Sequence, residues 1–452
     1  MTLPLRASLI ATGLALVSSL ALASGAAAQP EATGTYEPGE LLVEFRADDA
    51  GVEYELPEGV GVGEAARALD DNPEVRYAVP NYIAHAAGWI PNDRGATDAA
   101  AGGGWQQLQW NFLPCGTECG KDEQESEFQS FGGIDAPGAW QHLIDAGRPG
   151  GKQVKVAIVD TGVAYRKQGN RFKRSPDLGG GQFTAPRDFA DGDKVPLDEN
   201  GHGTHIASTI GEQTGNRKFV TGLAYGAKLI PVRVLDKHGA GGASTVARGI
   251  RYAAQHGADV INLSLEFSRS SVDDCADIPT VCEAVNRAHG EGALVVSVSG
   301  NTGGSAVTFP GRAPNVLAVG ATTEHGCLAD YSAFGKGLDL VAPGGGDDAG
   351  QAGFQCEPLH IGPGITQLTL TKTRKSYKRF GYPYYDGTSM AAAHVSGAAA
   401  LTWAALRRSL GRPPTPGEIE QRLESTARTE RGLDTELLYG AGLLDAAAAT
   451  AP

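Results

Sequence analysis

Three residues carry side chains that could move protons between them, and each sits among small neighbours. Asp160 stands in Val159-Asp160-Thr161-Gly162, His202 in Gly201-His202-Gly203-Thr204-His205, and Ser389 in Gly387-Thr388-Ser389-Met390-Ala391. A serine hydroxyl is a weak nucleophile until an imidazole takes its proton, and the imidazole works best when a carboxylate holds its tautomer. Taken singly, each has a plain reading: an N-cap serine, a strand-end aspartate on a turn, a packed histidine. A fourth polar residue, Asn301 in Ser299-Gly300-Asn301, reads alone as a turn. Together they supply nucleophile, base, orienter and an amide donor for acyl transfer. Zinc held by His202 and His205 is the rival chemistry, but the helical zinc motif has glutamate where Gly203 stands.

The motifs, in the order Asp160, His202, Ser389, resemble those of the subtilisin-like serine peptidases over about residues 150–450. The resemblance implies a serine endopeptidase with Asp160, His202 and Ser389 as catalytic residues. It makes Asn301 an oxyanion donor and leaves His205 structural. It implies no required cofactor. Protein or peptide substrates would bind as an added strand along two edges, Gly239-Ala240-Gly241 and Ser264-Leu265-Glu266, with Gly300 and Thr308 at the pocket floor. Glu266 and Phe267 depart from the family, which usually has glycine there; a carboxylate at the pocket wall either favours a basic residue before the scissile bond or points to solvent and narrows the entrance. Ala393 replaces a usual proline that would help start a helix, so its loss should weaken the fold modestly. Residues 213–220 align with a loop that binds calcium in many relatives, yet Arg217 and Lys218 are poor neighbours for the ion. Calcium therefore stays an open candidate there and at residues 188–193, against plain surface loops. Two other functions compete: a catalytically silent peptide-binding scaffold of the same fold, and a sedolisin-type acid peptidase with glutamate as base.

Positioning such residues calls for a rigid frame. Continuous apolar runs at 154–159, 229–234, 260–265, 293–298 and 316–319 read as strands buried on both faces. Helical stretches lie between them, such as 245–256. This alternation predicts an α/β fold, a mostly parallel sheet with helices on both faces, whose functional groups gather at the carboxyl ends of strands. Asp160 and Asn301 are placed at such ends. A helix is predicted from Ser389 to about Arg407, another from the Thr415-Pro416-Gly417-Glu418 cap, and a last one over 441–449.

Ahead of this frame, residues 29–88 read as a small α+β module: strands near 40–45 and 75–83, a helix near 63–70. It resembles the family's inhibitory, folding-assisting prosegment; an accessory domain that stays attached is the alternative. Residues 89–150 form a processing joint and the start of the mature enzyme, and residues 151–452 the catalytic domain. The Ala- and Gly-rich stretch 93–104 reads as mobile, and Trp110-Asn111-Phe112-Leu113 and Ile134-Asp135-Ala136-Pro137 resemble the start of a mature catalytic domain.

Residues 1–28 read as an export signal: Arg6, an apolar core at 9–23, then Ala26-Ala27-Ala28 before Gln29. The core falls short of the roughly 20 residues a spanning helix needs, which disfavours an uncleaved anchor and predicts no membrane association after signal removal. Six cysteines suit an exported, oxidised, secreted chain. They can pair in many ways, and local pairing of Cys115 with Cys119, Cys275 with Cys282 and Cys327 with Cys356 is the expectation. A formal charge of −14 in 452 residues argues against nucleic acid as a partner. The basic run 372–379 reads as a solvated hairpin face, and the protein is expected to be a monomer.

Overall fold

The structure is a computed structural model, and it describes residues 36–46, 52–57, 60–70, 72–82, 89–95, 104–115, 128–350, 356, 361–371, 376–429 and 436–452. The export signal, Cys119, residues 96–103 and the tip of the basic hairpin lie outside the described residues. The chain divides into two units, Met1–Ala87 and Gly88–Pro452.

In the first unit, β1 (Tyr36–Phe45) lies between β2 (Val52–Glu55) and β3 (Val75–Tyr82), all antiparallel. Leu41, Val43 and Phe45 share one face of β1 because strand side chains alternate, and they are buried with Val62, Ala65 and Leu69 of α1 (Val62–Asp70). A helix on one face of a three-stranded sheet gives this unit its own core.

The second unit is built on seven parallel strands: β4 (Lys155–Asp160), β5 (Arg187–Asp188), β6 (Lys228–Arg233), β7 (Val260–Leu263), β8 (Leu294–Val298), β9 (Val316–Thr322) and β10 (Leu340–Pro343). Their order in space is β10-β9-β8-β7-β4-β6-β5. The predicted strands are all present, within one or two residues of their expected ends except β9, which runs three residues further, to Thr322. Of the two outer strands, β5 has only two residues, too few to show as an apolar run, and β10 was not predicted. After β6 the chain crosses to the other side of β4, so the carboxyl end of β4 is a switch point of the sheet. Clefts open there because the flanking connections leave in opposite directions.

Side chains on β4 divide between two cores. Val156 and Ile158 face one, with α2 (Ala136–Asp145), α3 (His202–Gly211) and the long helix α6 (Thr388–Leu410). Ala157 and Val159 face the other, with α4 (Ala243–Gln255) and α5 (Pro279–Gly290). α6 is buried almost all round as far as Leu406, and runs of alanine such as 391–393 and 398–400 let the sheet and neighbouring helices approach it closely.

Helix α7 (Pro416–Ser425) has the expected reciprocal cap: Thr415 Oγ1 accepts from the Glu418 N–H at 3.3 Å, and Glu418 Oε2 accepts from the Thr415 N–H at 2.7 Å. The last predicted helix is shorter than expected. After α8 (Glu436–Tyr439), residues 441–445 spend their N–H groups outside a helix, Ala441 on Asp339, Leu443 on Arg428 and Leu444 on Val341. Helix α9 (Ala446–Thr450) starts only beyond them, capped by Asp445. The stretch expected to be mobile is tied down at its start: Asp93 is buried, and Gly95 donates to the Phe219 carbonyl. Cys275–Cys282 and Cys327–Cys356 are disulfides as expected, and Cys115 is also disulfide-bonded. The described end of the basic run enters a two-stranded hairpin, Phe380–Gly381 pairing with Thr369–Leu370. No helix of the described residues is long and apolar enough to cross a membrane.

Candidate active site

Asp160 is the last residue of β4 and is fully buried. Its Oδ1 accepts the N–H of Thr161 at 2.6 Å. Its two carboxylate oxygens stand 2.8 and 3.0 Å from Nδ1 of His202, the first residue of α3. A carboxylate accepting at Nδ1 places the N–H there and leaves Nε2 with its lone pair. Burial works against a charged imidazole, but the Asp160 carboxylate, by its charge and its hydrogen bond, outweighs it, and Asp198 adds to the field. The His202 pKa is thereby held above its ordinary 6.5.

A buried brace sets the distance between β4 and α3. Asp198 Oδ1 accepts from Thr161 Oγ1 at 3.1 Å and from the N–H groups of Asn200 and Gly201, each at 2.8 Å. Its Oδ2 accepts from the Thr204 N–H at 3.0 Å and Thr204 Oγ1 at 2.6 Å. Thr161 Oγ1 in turn accepts from the Gly203 N–H at 3.0 Å. Sequence reading missed Asp198 and Thr161; an acid four residues ahead of His202 was the only signal.

Ser389 is the second residue of α6. Its N–H has no backbone partner among the described residues, as expected in the first turn of a helix. Its hydroxyl stands 3.5 Å from the Ser264 carbonyl, at the outer limit of a hydrogen bond, and not on His202. The Ser389 carbonyl accepts from Ser264 Oγ at 2.8 Å. The Asn262 amide links Ser264 Oγ to Ser396 Oγ, 2.9 Å to each, so this end of α6 is bolted to β7. Asn301 lies three residues past the end of β8, beyond the predicted strand end. Its Oδ1 accepts both the N–H and the hydroxyl of Thr388, each at 2.9 Å, which turns Nδ2 the other way.

His202, Ser389 and Asn301 line one cleft of about 510 Å³, with Gly239, Ala240, Gly241, Ser264, Leu265 and Glu266 along its walls. Phe267, noted above as a departure from the family, lines it too, with Thr161, Asn200, Leu235, Val246, Ser268 and Val298, to which the sequence assigned no site role. Gly300 and Thr308 sit just behind: Thr308 is buried, its N–H and hydroxyl bound to the Ser299 carbonyl at 2.8 and 3.2 Å.

The remaining expectations divide. His205 is fully buried, bonded through Nε2 to the Ile365 carbonyl at 3.1 Å and stacked on Tyr385, and burial pushes its pKa down to about 3. It is a neutral packing residue that faces away from any zinc role. Ala393 is the sixth residue of α6, well inside the helix. Alanine is the best interior helix former, so the expected destabilisation from lacking proline has no physical basis here. The loop 213–220 is closed by its own hydrogen bonds. Asp93 accepts the N–H groups of Gly215 and Asn216 at 2.6 and 3.0 Å, and Asp177 accepts Nδ2 of Asn216 at 2.6 Å. These bonds occupy Asp93 and Oδ1 of Asp177, while Oδ2 of Asp177 is buried without a hydrogen-bond partner among the described residues. Among the described residues no three His, Cys, Asp or Glu side chains converge to hold a metal.

Residues 151–442 match the subtilase family, more than half of the chain. The chain belongs to the subtilase family. It is therefore a hydrolase of the serine-peptidase class whose members use an Asp-His-Ser triad. A thermophilic serine proteinase of Bacillus sp. (strain AK1) is 34% identical over 374 residues, 83% of this chain and 73% of that one. Subtilisin BL of Lederbergia lenta is 35% identical over 300 residues, 66% of this chain and 91% of that one. Among solved structures, a protease from Pseudoalteromonas arctica PAMC 21717 superposes with a TM-score of 0.56 at 30% identity, covering 71% of this chain and 94% of that one. The seven-stranded parallel sheet with helices on both faces is the subtilisin-like arrangement.

Proposed function

We propose that this subtilase is a secreted serine endopeptidase, made as a self-processing precursor, that hydrolyses peptide bonds in proteins through an acyl-enzyme on Ser389. The observation that carries it is the paired contact of both Asp160 carboxylate oxygens with His202 Nδ1, in the cleft that also holds Ser389 and Asn301. In the reaction the Ser389 hydroxyl leaves its weak contact with Ser264, gives its proton to His202 Nε2 and attacks the carbonyl carbon. Catalytic hydrogen bonds of free enzymes often tighten only with substrate present. The oxyanion is met by the Ser389 N–H and by Nδ2 of Asn301, which Thr388 already orients. His202 then protonates the leaving amine. Water attacks the ester by the same path in reverse, which restores the serine.

His202 carries one proton from Ser389 to the leaving amine and a second from the attacking water back to Ser389, and no cofactor is assigned. The separate core of the first unit supports reading it as the prosegment, which would act as inhibitor and folding helper. A parallel sheet of distant strands closes long loops before gaining contacts, and a helper relieves that slow step. The relatives' names, a serine proteinase and an alkaline protease among them, support protein substrates.

Replacing Ser389 by Ala tests the assignment. The variant should lose casein hydrolysis, take up no fluorophosphonate label and accumulate at full precursor length, read by mass spectrometry. Normal turnover or normal processing in it would overturn the reading.

A further inference from the structure

The cleft holds one feature that the acyl-transfer chemistry leaves unused. Of the side chains lining it, only His202 and Glu266 titrate, and none is Lys or Arg. His202 is engaged by Asp160. Glu266 makes no ion pair or hydrogen bond with any described residue, and Arg312, which lies over the Phe309 ring, is paired with Asp273.

The Glu266 carboxylate leans across the cleft and is not directed away from it. A Cβ built on Gly300 would come within 2.8 Å of Glu266 Oε2 and within 2.6 Å of the Thr308 methyl. Gly300 has φ +116°, a backbone that side chains rarely adopt, so the residue is bare for two reasons at once. One wall of the cleft, 264–267, is held to the other by the Phe267 N–H on the Phe309 carbonyl at 2.8 Å. The carboxylate thus stands between two braced walls, over a bare glycine.

Distance decides what it can meet. Ser389 attacks the carbonyl beside Ser264, and Glu266 is two residues further along an extended edge, about 7 Å away at the rise of a strand. A lysine or arginine carries its charge about 6 Å or more from its Cα, at the end of a stem that packs on apolar surface. Leu265 and Val298 offer that surface here. A shorter apolar side chain at the same place leaves the carboxylate solvated and gains nothing from its charge.

We propose that Glu266 selects a cationic side chain, lysine or arginine, on the residue whose carbonyl Ser389 attacks. This rests on the endopeptidase reading above and adds its substrate class. The open position of Glu266 makes the preference sensitive to salt, since screening weakens exposed charge pairs.

The test uses processed full-length enzyme and tetrapeptide amides that differ only in the residue before the scissile bond: Lys, Arg, Leu, Phe or Glu. At low salt the wild type should show kcat/KM for Lys at least about tenfold above Leu, the scale of one charge-assisted contact. Glu266→Gln should cut the Lys-to-Leu ratio by about tenfold or more, and Glu266→Lys should move the preference toward Glu. Raising salt should lower the wild-type ratio and leave the Gln variant's ratio flat. A wild type that labels with fluorophosphonate yet favours Leu or Phe overturns this proposal alone, as does a ratio unchanged in Glu266→Gln. Failure to label and to cleave any of the peptides overturns the endopeptidase reading itself.

Discussion

At the scale of the residue, the geometry separates what orients from what reacts. Asp160 is buried and spends both oxygens on His202, so its effect is felt through the imidazole. Burial lowers the His202 pKa, and Asp160 reverses that, for a net rise above 6.5. A base must be neutral to act, so kcat/KM should climb with pH through this raised value and fall away in acid. In Asp160→Asn the raising charge is gone and burial remains. The acid limb should then move to lower pH while kcat drops by about 10⁴, the cost of a mis-set tautomer. A pH–rate profile with no acid limb near neutrality would instead favour a carboxylate base, as in an acid peptidase. Asn301 is the second residue-level case. Its Oδ1 is occupied by Thr388, so with Nδ2 as the proposed oxyanion donor Asn301→Ala should cost about 10²–10³ in kcat with little change in KM, measured on one peptide amide.

At the scale of the element, catalysis depends on how closely α3 sits against the end of β4. Gly203 makes that approach: a Cβ there would strike the Gly162 carbonyl and come within 3.0 Å of Asp160 Oδ1. Gly203→Ala must push the first turn of α3 away from β4 and draw His202 off Asp160. Misplacements of this order cost about 10²-fold, so kcat should fall by at least that while circular dichroism stays native. Unchanged kcat would mean the brace of Asp198 and Thr161 tolerates the shift. The legibility of the elements follows the same physics. Strands β4, β6, β7, β8 and β9 were readable because burial on both faces demands unbroken apolar runs, whereas the two residues of β5 are too few for a pattern to form. The 441–449 segment was misread because its alanines suit a helix, yet its backbone N–H groups are claimed by Asp339, Arg428 and Val341 from distant parts of the chain.

At the scale of the whole molecule, several carboxylates are held where water cannot reach them. Asp177 is almost wholly buried, and burial raises its pKa to about 7, with the nearby Asp93 adding to the rise. The folded pKa lies above the unfolded one, so the fold binds the proton more tightly. Its contribution to stability is full below about pH 4 and lost as pH rises toward 7. Asp177→Asn keeps the shape without the charge. It should raise the thermal midpoint at pH 8 relative to pH 5, by an amount corresponding to about 1–3 kcal/mol. The comparison is made in the Ser389→Ala background so that self-digestion does not intrude. An equal shift at both pH values would show that Asp177 stays ionised in the fold. His205 and His394 act in the opposite sense: burial lowers them to about 3 and about 4, so they weaken the fold as pH drops below 6.5.

The sequence by itself determined the chemistry and the frame. The candidate residues Asp160, His202, Ser389 and Asn301 were legible because each stands among small neighbours, and the structure places His202, Ser389 and Asn301 on one cleft with Asp160 bonded to His202. The parallel sheet was legible because burial on two faces leaves a continuous record along each strand. Only the tertiary structure decided the rest, since those facts belong to pairs of residues far apart in the chain. Thr388 turns the Asn301 amide across 87 positions, Asp198 couples Thr161 to Thr204, and Glu266 meets Gly300 across a cleft. A lone residue carries no trace of its partner until the sheet has closed the loop between them.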